Sequence, residues 1–388
     1  VRIVHVYNQL DPRNGGPPHV IIGLAAAQRA LGHDIVLVSE DKPNCEATEA
    51  FITEHLGPDI IRFSIQPRAF ISALTRTQFQ HALTGADIVH LHGVWPVVSM
   101  MASRVCKAMG IPYVFAPHGS LHDGALREKR VKKLMGMWIL GYRAYIRDAA
   151  ALHALNQHEA DGASHPFYVG VELPQLVDII PNGVDPNLLD HKPSTDAVHQ
   201  LCPDLGQSPF ILYLSRLHPG KGCDLLGQAF VQVASRFPDI HLVMVGQDQG
   251  GRQMAEVPIR KAGLLNRVHF TGPIFDERKY ALYEAATVFC LPSRHEGFSM
   301  ALTEAMALRC PVVATRTCYF PELTDEHCGL ETDLSAPSLA EAIGQVLSDP
   351  VAAVAMGQRG RQLVENRFTW TKIAESTIAL YSRCQEAP

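Results

Sequence analysis

Short apolar runs, each closed by turn residues, recur along the chain. In the first half they are "RIVHVY", "DIVLVS", "DIVHLHG", "YVFAPHG", "ALHALN" and "VDIIPNG". Between them, residues His19 to Ala30, Val97 to Met109 and Glu128 to Arg147 carry apolar positions at three- and four-residue steps, the spacing of a helix buried on one side. Strands that alternate with helices predict parallel sheets covered on both faces. The pattern then starts again with "FILYLSR", "HLVMVGQ", "RVHFTG", "VFCLPS" and "PVVATR", each followed by a helix candidate. The sequence itself does not repeat; the architecture does.

The stretch 181–209 is rich in Pro, Asp and Asn and lacks periodicity, so the joint between two domains is expected there. The reading is an α/β chain with one doubly wound domain over 1–190 and a second over 191–370. Ligands of such sheets bind beyond the carboxyl ends of the strands, where loops open into helices. Informative residues should therefore stand just after strands.

Composition narrows the classes. A chain of 388 residues is too long for one ordinary core and suits two. With 47% hydrophobic and 19% charged residues it reads as globular. A formal net charge of −5 argues against a dedicated nucleic-acid partner. Nineteen histidines include no helical metal-binding pair, and nine cysteines form no Cys-x-x-Cys, which fits reduced thiols in a cytoplasm. The chain opens on "VRIVHVYN", a strand pattern and not a basic leader, and no apolar run approaches the ~18 residues of a spanning helix. A cytoplasmic protein is expected, without a resident cofactor.

The first strand is followed by "NQLDPRNGGPPHV", where Gly15 and Gly16 lead into a helix and would let backbone amides approach an anion. The dinucleotide fingerprint Gly-x-Gly-x-x-Gly is absent from it. His118 closes "YVFAPHG", and His90 and His92 end the neighbouring strand as a polar wall with no carboxylate or cysteine to complete a metal site. In "YLSRLHPGKG", Arg216 and Lys221 lie beside glycines at the head of a helix, a pattern suited to clamping phosphate. In "RHEGFSMALTEAMALRCPVVAT", Glu296 sits in a loop and the amides of Gly297, Phe298 and Ser299 face out of a helix start. Glu304 lies further along that helix among apolar neighbours, where a carboxylate needs a partner and would suit a pair of hydroxyls.

Together the Glu-x7-Glu of 296 and 304, the pair Arg216 and Lys221, the turn Asn182-Gly183-Val184-Asp185 and the Gly15-Gly16 loop resemble the retaining GT-B glycosyltransferases of the large family-four group. The resemblance implies two Rossmann-like domains facing each other across a cleft, the first on the acceptor side and the second binding a nucleotide-sugar donor. It implies that a final helix, about 371–388, returns to the first domain. Arg216 and Lys221 would hold the donor diphosphate, Glu304 the ribose and Glu296 the hydroxyls of the transferred sugar. His118 would touch that sugar near the reacting centre, and the backbone at Ile274 would line the base pocket. The implied reaction is transfer, with retention, from a nucleotide-diphosphate sugar (a UDP-sugar by default) to a hydroxyl of a glycan or lipid-linked acceptor. No Asp-x-Asp is present, so cations of the chain are expected to take the place of a metal. A GT-B nucleotide-sugar epimerase and a non-catalytic sugar-nucleotide-binding scaffold are the alternatives.

One motif stands outside this scheme. Residues 127–147 carry seven basic side chains against the single acid Glu128. Their apolar positions, Val131, Leu134, Met135, Trp138, Tyr142 and Tyr145, predict one helix with one apolar stripe. Packing on the first sheet is the plain reading; peripheral contact with an anionic membrane surface is the sharper one.

Overall fold

The computed structural model describes all residues except 41–44, 66–72, 122–129, 164–173, 175, 192–194 and 387–388. The chain divides into two compact units, Val1–Gly183 with Trp370–Pro388, and Val184–Thr369. The junction lies ahead of residue 190 because Val184 and Leu188 are already buried in the second unit's core. The Val184 N–H also donates to the Phe368 carbonyl at 2.7 Å.

In the first unit the described strands are β1 (Arg2–Val6), β2 (Asp34–Ser39), β3 (Ile61–Ser64), β4 (Ile88–His92), β5 (Tyr113–Ala116), β6 (Ala151–Ala154) and β7 (Leu176–Ile179). They form a parallel sheet in the order β3-β2-β1-β4-β5-β6-β7. Its central strands are buried along nearly their whole length, as their predominance of Val, Ile and Leu requires, with His5, His90 and His92 buried among them. The helix Trp370–Glu386 belongs to this unit and packs on the helix Gly16–Ala30. A Cβ on Gly23 would lie 2.4 Å from the Trp370 indole, and one on Gly183 would lie 2.7 Å from it, so the two glycines make the seat for that ring.

The second unit contains β8 (Phe210–Leu214), β9 (His241–Val245), β10 (Val268–Gly272), β11 (Val288–Leu291), β12 (Val312–Thr315) and β13 (Leu330–Thr332). They too are all parallel, ordered β10-β9-β8-β11-β12-β13. In each sheet the strand order reverses once, between β1 and β4 and between β8 and β11. Loops on either side of such a reversal part and leave room for a ligand.

One expected element differs. The helix anticipated from Glu128 to Arg147 is two helices where described, Arg130–Ile139 and Tyr142–Arg147. Gly141, at φ +91°, breaks them by entering the left-handed region that ends an α-helix. The stripe breaks with it. Tyr142 and Tyr145 are buried, whereas Met135, Trp138, Ile139 and Leu140 are 56%, 60%, 70% and 45% exposed. Arg127, Glu128 and Lys129 lie outside the described residues.

No single helix among the described residues is long and apolar enough to cross a membrane. The bent pair Ala336–Ser348 and Pro350–Arg367, turning through 103°, passes on length and composition alone.

Candidate active site

The reversal point of the second sheet is built from the loops after β8 and β11. The first runs from Ser215 into the helix Cys223–Arg236. The Tyr213 hydroxyl donates to the Arg216 carbonyl at 2.9 Å, and the Gly220 N–H donates to His218 Nδ1 at 3.0 Å. Gly222 takes φ +70°, and a Cβ there would lie 1.9 Å from the Pro292 carbonyl oxygen, so only glycine lets the two loops touch. Arg294 braces them: its guanidinium donates to both Asp224 oxygens, at 2.8 and 2.7 Å, and to the Pro219 carbonyl at 2.7 Å. Its bond and charge hold the Asp224 carboxyl below the ordinary value.

On this frame Lys221 Nζ donates to Glu296 Oε1 at 2.7 Å, with both side chains largely buried. Arg216 is exposed, and its guanidinium has no partner among the described residues. Ser299 is the N-cap of the helix Met300–Ala307, and its Oγ accepts the Leu302 N–H at 3.3 Å. The amides of Phe298 and Ser299 have no hydrogen-bond partner among the described residues, so this helix start retains donors for an anion. The Phe298 ring packs against Phe320 and Phe368 and pins the loop to the core.

Glu304 lies on the second turn of that helix. Its Oε1 accepts from Lys279 Nζ at 2.7 Å and its Oε2 from the Tyr283 hydroxyl at 3.2 Å. Burial is the largest influence on Lys279 and lowers its pKa, but the charge of Glu304, the Tyr280 hydroxyl and the hydrogen bond to Glu304 together outweigh it, and the ammonium is held above its ordinary range. Lys279 and Tyr283, on the helix Arg278–Ala285, were not legible as partners because nothing in their spacing points to residue 304. Ile274 follows β10 and rests partly buried against the core.

The remaining candidates lie in the first unit. Gly15 takes φ +97° and ψ −151°, a conformation open to glycine, and it caps the helix Gly16–Ala30 without a side-chain bond. No atom lies within 4 Å of a Cβ built on Gly15 or Gly16, so the backbone there faces open space. Pro17 and Pro18 contribute no N–H, which leaves this helix start fewer donors than the usual first turn. His118 follows β5 at φ +51°, partly exposed, and burial with the charge of His153 pushes its pKa down to about 3. The Gly119 N–H donates to Glu159 Oε1 at 2.5 Å and the Leu155 N–H to Glu159 Oε2 at 2.9 Å. Glu159 is buried, which pushes its carboxyl up to about 7 against the pull of those two bonds. It fixes the His118 loop from β6's side, a role that a lone glutamate in "NQHEAD" did not announce.

Two parallel α/β sheets, each with one reversal of strand order, are the domains of the GT-B class of fold. Residues 204–363 match the family Glycosyl transferases group 1, and residues 15–183 match the family Glycosyl transferase 4-like domain. The chain belongs to the group 1 GT-B glycosyltransferases.

Among its relatives, a D-inositol 3-phosphate glycosyltransferase of Segniliparus rotundus is 26% identical over 323 residues, which cover 81% of this chain and 70% of the relative. An MMP alpha-(1->4)-mannosyltransferase of Mycolicibacterium hassiacum is 30% identical over 214 residues, 54% of this chain. There the match spans about half of the relative, 49%. HepE of Anabaena, solved in complex with UDP, shares the fold at TM-score 0.78 and 21% identity, over 98% of this chain and 100% of that one.

Proposed function

We propose that the chain transfers a sugar, with retention of its anomeric configuration, from a nucleoside-diphosphate sugar to a hydroxyl acceptor. The observation that carries this is the reversal point of the second sheet. There Arg216, the Lys221–Glu296 pair and the helix start at Ser299 come together on loops braced by Arg294. Cleavage of a sugar–phosphate bond builds negative charge on the departing diphosphate and positive charge on the ring. Arg216, Lys221 and the amides would stabilise the first without a metal. Glu296 would face the sugar hydroxyls once phosphate draws Lys221 away, and Glu304 the ribose, with Lys279 and Tyr283 fixing its carboxylate. Gly15 and Gly16 would present backbone amides to the donor, and His118 would contact the sugar. The default donor is a UDP-sugar, with the backbone at Ile274 lining the pocket for its base.

The acceptor is proposed to be a glycan or a lipid-linked hydroxyl, with the protein peripheral to an anionic membrane at the cytoplasmic side. The support is local: Met135, Trp138, Ile139 and Leu140 are exposed together, and Arg143 lies 4.8 Å from the Trp138 ring. Aromatic and apolar side chains beside cations suit a headgroup interface.

A screen of nucleotide sugars for thermal stabilisation, followed by turnover with the best donor, tests the proposal. Transfer to an added hydroxyl acceptor is expected. Isomerised donor without an acceptor would instead favour an epimerase, and binding without turnover a scaffold.

A further inference from the structure

A cluster of histidines lies on one face of the first sheet, beside the His118 loop. His5 stands opposite His90 in register across β1 and β4, and His92, two residues on, shares their face. These three and His153 of β6 are buried.

Two backbone carbonyls, which can only accept, fix the direction of every bond in the cluster. His153 Nε2 donates to the Ile180 carbonyl at 2.7 Å. A neutral His153 then accepts at Nδ1 from His90 Nε2 at 3.3 Å, and His90 Nδ1 accepts from the Tyr381 hydroxyl at 2.8 Å. That uses the one proton of the Tyr381 hydroxyl. The Thr377 hydroxyl spends its own on the Ala374 carbonyl at 2.9 Å. Gln28 must therefore turn its NH2 to these two oxygens, at 2.9 Å from Thr377 and 3.1 Å from Tyr381, and its carbonyl to His5. The second branch follows. His5 Nε2 donates to Gln28 Oε1 at 2.8 Å, His92 Nε2 to His5 Nδ1 at 2.9 Å, and His118 Nε2 to His92 Nδ1 at 2.8 Å.

Burial keeps the rings neutral, as this pattern needs: it pushes His5 and His153 down to about 4 and His118 to about 3, with His90 and His92 also well below the ordinary value. His118 Nδ1 is left without a partner among the described residues.

We propose that this one-directional relay holds His118 as its Nε2–H tautomer, so that Nδ1 is an obligate hydrogen-bond acceptor, and that Gln28, Thr377 and Tyr381 are positioning residues for it. The group His118 recognises is then a hydroxyl that donates, and a carboxylate or phosphate oxygen at that point would meet lone pair with lone pair. That Nδ1 addresses substrate rests on the function proposed above; the tautomer does not. One nitrogen from each of His5, His90 and His92 lies within 4.8 Å of the others, so a metal ion is the rival occupant. It would take the lone pairs and protons on which the relay depends.

The test is two-bond proton–nitrogen correlation NMR on the full chain labelled with 15N-histidine, at pH 7 and without ligand, with His118→Gln assigning the signal. His118, His92 and His5 are each expected as a single Nε2–H tautomer. In Gln28→Met, which removes the terminal acceptor, the His118 nitrogens should move at least a quarter of the way towards the average of the two tautomers. Tyr381→Phe keeps the ring and serves if Gln28→Met does not fold; it should shift His90 in the same way. A proton on His118 Nδ1, averaged signals in the parent, or no shift in a folded variant overturns the relay. So does one equivalent of zinc retained by the parent and lost in His90→Gln. These spectra need no substrate, so their failure leaves the donor site standing, and failure of the donor site leaves the tautomer standing.

Discussion

Replacing Lys221 by Met removes one charge at nearly constant volume and separates what the pair with Glu296 does for the fold from what the lysine does for a diphosphate. The Nζ–Oε1 distance is 2.7 Å, with the two side chains 16% and 11% exposed. A charged hydrogen bond in such a setting contributes about 1.5–3 kcal/mol. In a domain of this size that lowers the melting temperature by about 3–12 °C. At 25 °C the variant stays folded, so any further loss of transfer belongs to the chemistry. A preorganised group aimed at developing charge supplies about 3–4 kcal/mol, which is a fall of roughly 10²–10³ in kcat. Initial rates of labelled-sugar transfer, at saturating donor, read this directly. Glu296→Gln is the control. It breaks the same ion pair but frees Lys221, so affinity for a nucleoside diphosphate should hold or rise while discrimination between sugars falls. Transfer by Lys221→Met within about threefold of the parent would refute the role given to Lys221. So would an equal loss of diphosphate affinity in the two variants, which would make the pair merely structural.

Glu304→Gln should mainly raise the donor KM, because a ribose contact is made in ground and transition states alike; a fall in kcat with KM unchanged would contradict it. Transfer should persist in excess chelator and give a product with the donor's anomeric configuration, read by proton NMR; activity lost in chelator and restored by magnesium or manganese would expose a metal requirement, and inversion would refute the mechanism. Burial raises Glu159 from 4.5 to about 7, so the folded chain binds more protons than the unfolded one between those values, and this group's contribution to stability falls as pH rises through that window. Glu159→Gln should flatten the difference in melting temperature between pH 5 and pH 7.5, followed by tryptophan fluorescence, since Trp95, Trp138 and Trp370 all lie in the first unit; parallel pH profiles for parent and variant would refute it. Trp138→Ser should weaken sedimentation with anionic liposomes at low salt, and equal, negligible binding of the parent to anionic and neutral liposomes would leave only a structural helix.

The alternation of apolar runs and helical spacing made both sheets legible because their central strands are buried on two faces and read as largely apolar segments, even where His5, His90 and His92 interrupt them. The strands it passed over, β3 and β13, are edge strands. Three of the four residues of "IRFS" are exposed, and "LET" is too short to show a period. At the site, what local chemistry marks was visible: the glycines beside Lys221, a helix start at about Ser299, and the two glutamates in apolar company. Their partners were not. Glu296 meets Lys221 and Glu304 meets Lys279 only because loops after separate strands converge at the sheet's reversal, and sequence spacing carries no trace of that. Gly141 was misjudged for a different reason. The apolar period of 127–147 continues across it, and only its positive φ stops the helix.

In the proposed function the second unit holds a nucleoside-diphosphate sugar through Arg216, Lys221, Glu296 and Glu304. Thermal melting of the parent and of Lys221→Met, each with a panel of nucleotide sugars and matching nucleoside monophosphates, tests it most directly. At a hundred times Kd a bound donor contributes about 2.7 kcal/mol of stability. At least one diphosphate sugar is expected to raise the parent's melting temperature by several degrees, its monophosphate to raise it by much less, and the same sugar to shift the variant little. A panel that shifts nothing in the parent, or that shifts parent and variant equally, would contradict it.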